Sequence, residues 1–417
     1  MGSEAQNSKS TFFTGAQRIP PDRIFELTAE YLKDESPVKA NLGQGAYRDG
    51  DGNPWILPSV RESRRLLQEQ GLIHEYLPIL GHAGFREAVA RTVLGEELFS
   101  TKGSHVATCQ SLSGTGALHL AGKLIARTNS PKPKVIITDP PYGNHFQVIK
   151  DVGLEYETFN YYDAVTKSVD MASYRNMLQT VPPGSVILLH ACAHNPTGCD
   201  PSKDEWREIG QIMKSRNLFP IFDAAYLGFN SGSVDEDAFS IRHFIGELNL
   251  EAAICVSYAK SMGLYGERVG AVLVHAASKD LALDCQSMLE QIQRSQVSNP
   301  PAFGAKTAHL ILTDEKLKKQ WSEDLLTMSG RIRTMRQKLY DALREEGAPG
   351  TWEHLINQTG MFGFLGLSSQ VVVELREKYH IYMADNSRIS VAGLNDSNVK
   401  YVAASIAASV REEQGQK

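Results

Sequence analysis

AAICVSYAKSMGLYGERVG (252–270) runs a string of small and apolar residues straight into Lys260, then spaces glycines around Tyr265 and Arg268. An apolar run of that length, closed by polar residues and glycines, reads as a buried strand ending just before the lysine. A lysine there has a free attacking amine only if burial and a nearby cation lower its pKa, and Arg268 is the candidate cation. Lys260 with Ser257 and Arg268 can hold an aldehyde cofactor covalently and grip its phosphate. The alternative is an ordinary solvated lysine.

Similar runs flank this one: KVIITD (134–139), SVILLH (185–190), LFPIFD (218–223) and GAVLVH (270–275), with helical patterns between them such as DEWREIGQIMKSR (204–216). The alternation predicts parallel strands joined by helices, an α/β domain whose ligand crevice lies at the carboxyl ends of its strands. Asp139, His190, Asp223 and Ser257 stand at such ends. The helical pattern over 315–347 is long enough to bridge two domains. Beyond it, MFGFLGL (361–367) and RISVAG (388–393), either side of the helical SSQVVVELREKY (368–379), predict a smaller α+β unit that takes in chain before Pro58. The expected division is an N-terminal arm with part of the small domain over 1–53, a large domain over 54–330 and the rest of the small domain over 331–417.

With 417 residues the chain can bury two sizeable cores, and its net charge of −5, with scattered basic residues, offers no cationic field for a nucleic acid. Cys109, Cys192, Cys199, Cys255 and Cys285 form no C-x-x-C pair and sit mostly in apolar runs, which argues for a reducing compartment. No segment approaches the ~20 apolar residues that span a bilayer. The opening MGSEAQNSKSTFFTGAQRIPPD carries Glu4 and has neither an apolar export core nor dense arginines, so a cytoplasmic location is expected.

Other motifs can serve the same cofactor. SLSGTGALHLAGKLIA (111–126) puts Ser113, Gly114 and Thr115 at a helix start, where hydroxyls and backbone N–H groups face an anion; a plain Ser/Thr cap is the alternative. His119 occupies the third glycine position of G-x-G-x-x-G, which disfavours a dinucleotide site. Asp223 closes its strand with Tyr226 three residues on. A buried carboxylate needs a cation, and a pyridinium nitrogen is one; a helix-capping aspartate is the other reading. HACAHNPTG (190–198) reads as a tight turn presenting Asn195. His145, His190 and His194 lack the carboxylates and spacing of a metal site, and no metal is expected. Arg388, entering RISVAG, and Arg294 are candidate carboxylate clamps, although either alone would more often be a surface arginine.

Taken together, SYAKSMGLYGERVG, HACAHNPTG, FDAAYLGF, NLGQGAYR, YLPI, SGTGAL and RISVAG resemble the motifs of the aspartate aminotransferase family over nearly the whole chain. The resemblance implies the type I fold of pyridoxal 5′-phosphate enzymes, a large domain with a mostly parallel seven-stranded sheet plus a smaller α+β domain, and a homodimer with shared active sites. It implies that Lys260 forms the internal aldimine and shuttles the proton, that Asp223 pairs with the pyridinium nitrogen with His145 behind it, and that Tyr226 and Asn195 bond the ring's phenolate oxygen. Ser113, Gly114, Thr115, Ser257 and Arg268 would hold the phosphate, joined by Tyr76 from the neighbouring subunit. Arg388 and Asn195 would bind the substrate α-carboxylate, Arg294 would reach across to a distal carboxylate, and Gly45 would line the cleft.

The departures lie on the substrate side. PPYGNH stands where the family has PTWGNH, so Tyr142 replaces a stacked tryptophan on the cofactor and substrate. RSQVSNPP replaces RPMYSNPP, bringing Gln296 and Val297, and Gln44 replaces the valine of NLGVGAYR. Transfer of an amino group between an aspartate- or glutamate-type amino acid and a 2-oxo acid is the leading expectation. Two others stay open: a related pyridoxal-phosphate enzyme with a changed reaction (elimination, decarboxylation or carbon–carbon bond formation), and a binding protein that retains the fold without catalysis.

Overall fold

The apolar runs become strands because alternate residues on each feed two different cores. Seven strands form one sheet: β1 (Val106–Leu112), β2 (Val135–Asp139), β3 (Tyr156–Asn160), β4 (Val186–His190), β5 (Phe219–Ala224), β6 (Ala252–Ser257) and β7 (Val269–His275), in the spatial order β1-β7-β6-β5-β4-β2-β3. Ile187, Phe222 and Ile254 pack into one apolar cluster, while Leu188, Ile221 and Ala253 pack into the other. A strand buried on both faces has no polar positions to alternate, hence the unbroken runs. The computed structural model describes residues 11–415; the first ten residues, on which part of the N-terminal reading rests, and the last two lie outside the described residues.

β2 to β6 pair in parallel, whereas β7 runs antiparallel to both β6 and β1. GAVLVH therefore departs from the expected parallel pattern. The chain over 258–268 contains turns and no helix, and a parallel return needs a crossover of a dozen or more residues, usually helical. This reversal sets Gly270 opposite both Ser257 and Ser111, so the ends of β6 and β1 meet beside Lys260. Two strands were not legible as runs: β1 is broken by Thr108 and Gln110, and β3 lies at the sheet edge with exposed positions.

Ala40–Asn41 pairs in parallel with Ile381–Tyr382, and Phe362–Phe364 pairs antiparallel with Arg388–Ser390. Helices Ser369–Tyr379 and Val399–Gly415 cover this second unit. The 31-residue helix Glu315–Glu345 buries side chains from Leu317 to Leu343, and Ile389 belongs to the same apolar cluster as Ile254. One core thus ties the two sheets together. Among the described residues all five cysteines are free, and no helix is long and apolar enough to cross a membrane.

Candidate active site

Lys260 follows β6 directly, in the turn that reverses the chain. Its Nζ donates to the Gly45 carbonyl at 2.7 Å and lies 4.9 Å from the centre of the Tyr265 ring. Burial, then the positive charges of Arg268 and Arg388, bring the amine down to about 8. Those are the conditions for a nucleophilic amine near neutral pH.

The helix Ser113–Thr128 begins where β1 ends, and no side chain caps it. Its first backbone N–H groups therefore remain available to an anion, beside the hydroxyls of Ser113 and Thr115. Ser113 takes a left-handed φ of 61° and its Oγ lies 2.7 Å from Ser257 Oγ. A glycine at 270 is required for this approach, because a Cβ there would lie 2.8 Å from Ser113 Cα and 2.4 Å from the Val256 carbonyl oxygen. Thr115 is exposed and accepts from Asn144 at 3.3 Å. Arg268, also left-handed, donates to the Tyr265 carbonyl at 3.0 Å.

Asp223 lies in β5 and accepts from His145 Nε2 at 2.8 Å; it caps no helix. Burial alone would raise this carboxyl, but the hydrogen bond and field of His145 outweigh it and the net shift is downward. Because an ionised carboxylate only accepts, the imidazole proton facing Asp223 is on His145 Nε2. The neighbouring His190 is held neutral by burial, its pKa brought down to about 3, and His194 bonds the hydroxyls of Thr197 and Thr138 at 2.8 and 2.9 Å. Tyr142 and Tyr226 both have hydroxyls pushed up by burial and then by the charge of Asp223.

Arg388, on the strand Arg388–Ser390, donates to Asn195 Oδ1 at 3.2 Å and to the Gly43 carbonyl at 3.0 Å, over the Phe362 ring at 4.2 Å. It is buried, and among the described residues its Nε has no partner. An incompletely satisfied buried guanidinium calls for an anionic ligand.

Tyr76 and Arg294 are not gathered with these residues. Tyr76 is 89% exposed, and the exposed Arg294 bonds Ser298 Oγ beyond the end of its helix. Of the departing positions, Tyr142 stands edge-on to His145 at 5.1 Å between ring centres and Gln44 bonds Arg48 at 2.9 Å, whereas Gln296 bonds His119 on the surface. Sequence reading missed Tyr265, whose hydroxyl accepts from the Tyr47 N–H at 2.8 Å beneath the lysine loop, and Phe362 under Arg388. Tyr265 lies inside the quoted Lys260 stretch and could have been flagged; Phe362 looks like any other core aromatic until the fold places it.

A depressed buried amine, a carboxylate kept ionised by an imidazole, an uncapped helix start lined with hydroxyls and an arginine with an unpartnered nitrogen fit a phosphorylated pyridine aldehyde. Residues 37–406 match the family Aminotransferase class I and II. The chain is 43% identical over 404 residues to a cytoplasmic aspartate aminotransferase of Oryza sativa subsp. japonica, covering 97% of this chain and 99% of that one. A solved aspartate aminotransferase from the cytoplasm of Saccharomyces cerevisiae superposes with a TM-score of 0.93 at 39% identity, over 96% of this chain and 99% of that chain. An aromatic-amino-acid aminotransferase from Burkholderia pseudomallei, solved covalently bound to pyridoxal phosphate, gives 0.93 at 37% identity, over 96% of this chain and all of that one, 100%. Such enzymes work with pyridoxal 5′-phosphate on amino and 2-oxo acids, and this chain belongs to the class I and II aminotransferases.

Proposed function

We propose that this aminotransferase moves the amino group between an aspartate- or glutamate-type amino acid and a 2-oxo acid, with Lys260 as the group that binds the cofactor and carries the proton. The observation that carries the reading is the buried Lys260 amine, brought down to about 8 and set among Arg268, Arg388 and Asp223. When bound, the cofactor supplies an aldehyde that captures amines and a ring that spreads the negative charge left at the substrate α carbon. With the cofactor bound, Lys260 would hold it and would carry a proton between the substrate α carbon and the cofactor's aldehyde carbon, two bonds apart. Asp223 holds the proton on the ring nitrogen, with His145 Nε2 fixing the carboxylate. Tyr226 and Asn195 orient the ring through its phenolate oxygen, and Tyr142 covers it. Ser113, Gly114, Thr115, Ser257 and Arg268 hold the phosphate.

Arg388 and Asn195 take the substrate α-carboxylate, and Gly45 bounds the cleft. The exposed positions of Tyr76 and Arg294 support a homodimer in which the partner's Tyr76 reaches the phosphate and the partner's Arg294 the distal carboxylate. The division into 1–53, 54–330 and 331–417 and a cytoplasmic location remain our proposals. The second is supported by the cytoplasmic relative and by the free cysteines. Mixing the holoenzyme with aspartate should convert the cofactor absorbance to that of the aminated form in a single half-reaction. Arg294→Ala should lower kcat/KM for aspartate by about 100-fold, as loss of a paired charge implies, yet change the value for a monocarboxylic amino acid little. Equal losses on both substrates would remove Arg294 from the distal site.

The lysine also sets a pH dependence. With the amine at about 8 instead of the ordinary 10.5, about one amine in ten is neutral at pH 7, against roughly one in three thousand for an unshifted lysine. Capture of the cofactor by the cofactor-free protein should therefore accelerate as pH rises through about 8 and level off above it. Arg268→Met should move that plateau to higher pH, since it removes a charge that disfavours the ammonium. Stopped-flow absorbance across pH 6–10 reads both, and a rate still climbing at pH 10 in the parent protein would contradict the shifted lysine.

A further inference from the structure

Arg336 is a buried cation, 4% exposed, for which no carboxylate lies within ion-pair reach among the described residues, the charge of Asp200 acting on it from further off. It sits in the second half of the helix Glu315–Glu345; its Nη1 donates to the Leu355 carbonyl at 3.2 Å, and the two hydrogens of its Nη2 are shared among the carbonyls of Thr359 and Gly360, at 3.0 Å each, and Phe362. Burial brings it down to about 10. Burying a charge is costly, so one spent on gathering the carbonyls of a single loop needs a reason.

That loop touches both arms of the Arg388 site. At one end, Phe362 lies under the Arg388 guanidinium and against the place where a Cβ on Gly45 would stand, 3.0 Å from Phe362 Cζ. At the other, the Thr359 N–H donates to the Gly198 carbonyl at 2.7 Å, and Thr359 Oγ1 donates to Asp200 at 2.9 Å. Asp200 in turn accepts from the N–H groups of Ala193 and His194 at 2.6 and 2.9 Å, the two residues before Asn195. Ala193 is held left-handed at φ 54°, and a Cβ on Gly360 would lie 2.3 Å from its Cβ, so loop and turn are in direct contact. Asn195 and Phe362 are thus fixed, one from each side of Arg388, by a single lattice running Arg336, loop 355–362, Thr359, Asp200.

We propose that Arg336, acting through Thr359 and Asp200, is a positioning residue that sets the geometry of the substrate-carboxylate clamp formed by Arg388 and Asn195. The proposal rests on the reading that this clamp binds the α-carboxylate. A guanidinium suits the task because its planar fork reaches several carbonyls at fixed angles, which an ammonium cannot do. No proton moves through Arg336, and it touches no reacting atom.

The test uses the holoenzyme of Arg336→Met, Arg336→Lys, Thr359→Val and Arg388→Ala, with KM and kcat for aspartate, the affinity of succinate read from the cofactor absorbance, and the unfolding temperature. Arg336→Met should raise KM and the succinate dissociation constant about tenfold or more while kcat changes less than about threefold and the unliganded cofactor spectrum stays as in the parent. Arg336→Lys should recover part of the loss, and Thr359→Val should shift KM in the same direction by a smaller factor. If the Arg336 and Thr359 variants keep parental KM and succinate affinity and only unfold at lower temperature, the role is structural and the proposal is overturned. Should Arg336→Met fail to fold, Thr359→Val decides: raised KM supports the proposal, unchanged KM overturns it. Unchanged succinate binding in Arg388→Ala would instead bring down the carboxylate reading beneath it.

Discussion

Lys260→Ala should lower kcat by on the order of 10⁴-fold, because a positioned general base is worth up to about that factor and no other group takes its place. The amine's contacts are the Gly45 carbonyl and the face of Tyr265, and the charges that set its pKa belong to Arg268, Arg388 and Asp223. Among these, arginines cannot accept a proton at neutral pH and Asp223 is committed to His145. Folding should survive, since the substitution removes an amine whose desolvation is unfavourable and leaves the strand β6 intact. The variant should still bind the cofactor through Ser113, Ser257 and Arg268, but borohydride should no longer attach it to the chain. Single-turnover absorbance with aspartate measures the rate. A rate within about tenfold of the parent would remove Lys260 from the chemistry.

Asp223→Asn should cost about 10²–10³-fold in kcat, equivalent to roughly 3–4 kcal/mol, the range for breaking one buried charged pair. The exchange conserves shape, so the cofactor should still seat. What changes is the charge: a neutral amide no longer holds a proton on the ring nitrogen, and it leaves His145 Nε2 without its anionic acceptor. Asp223→Glu, which keeps the charge but displaces it, should retain more activity than Asp223→Asn. The cofactor absorbance should also become more sensitive to pH, because His145 alone does not fix the protonation of the ring. Parental kcat in Asp223→Asn, with cofactor bound, would sink the ion-pair role.

Where the site could be read from sequence, it was because chemistry and local structure coincide. Lys260 and Asp223 each stand at or just beyond the end of a strand, where a hydrophobic run stops and a reactive or charged residue begins, and Ser113 opens a helical pattern; these signals are local. Strands β2, β4, β5 and β6 were legible for the same reason, since each is buried on both faces. The direction of β7 was not, because an apolar run carries no sign of which way it points; only the helix-free connection over 258–268 does. Tyr76 and Arg294 illustrate a further limit: the motifs single them out, yet within one chain they stand on the surface.

By itself the sequence determined the buried runs of β2, β4, β5, β6 and β7, where the lysine and the carboxylate sit relative to them, and which family the motifs resemble, since all three depend on residue type and spacing along the chain. Tertiary structure alone decided that Arg336, Thr359, Asp200 and Phe362 converge on Arg388 and Asn195. Those residues come from segments separated by more than a hundred positions (Asp200 from Thr359, Asn195 from Arg388). Hydrogen bonds to backbone carbonyls leave no trace in side-chain pattern, because every residue carries the same acceptor.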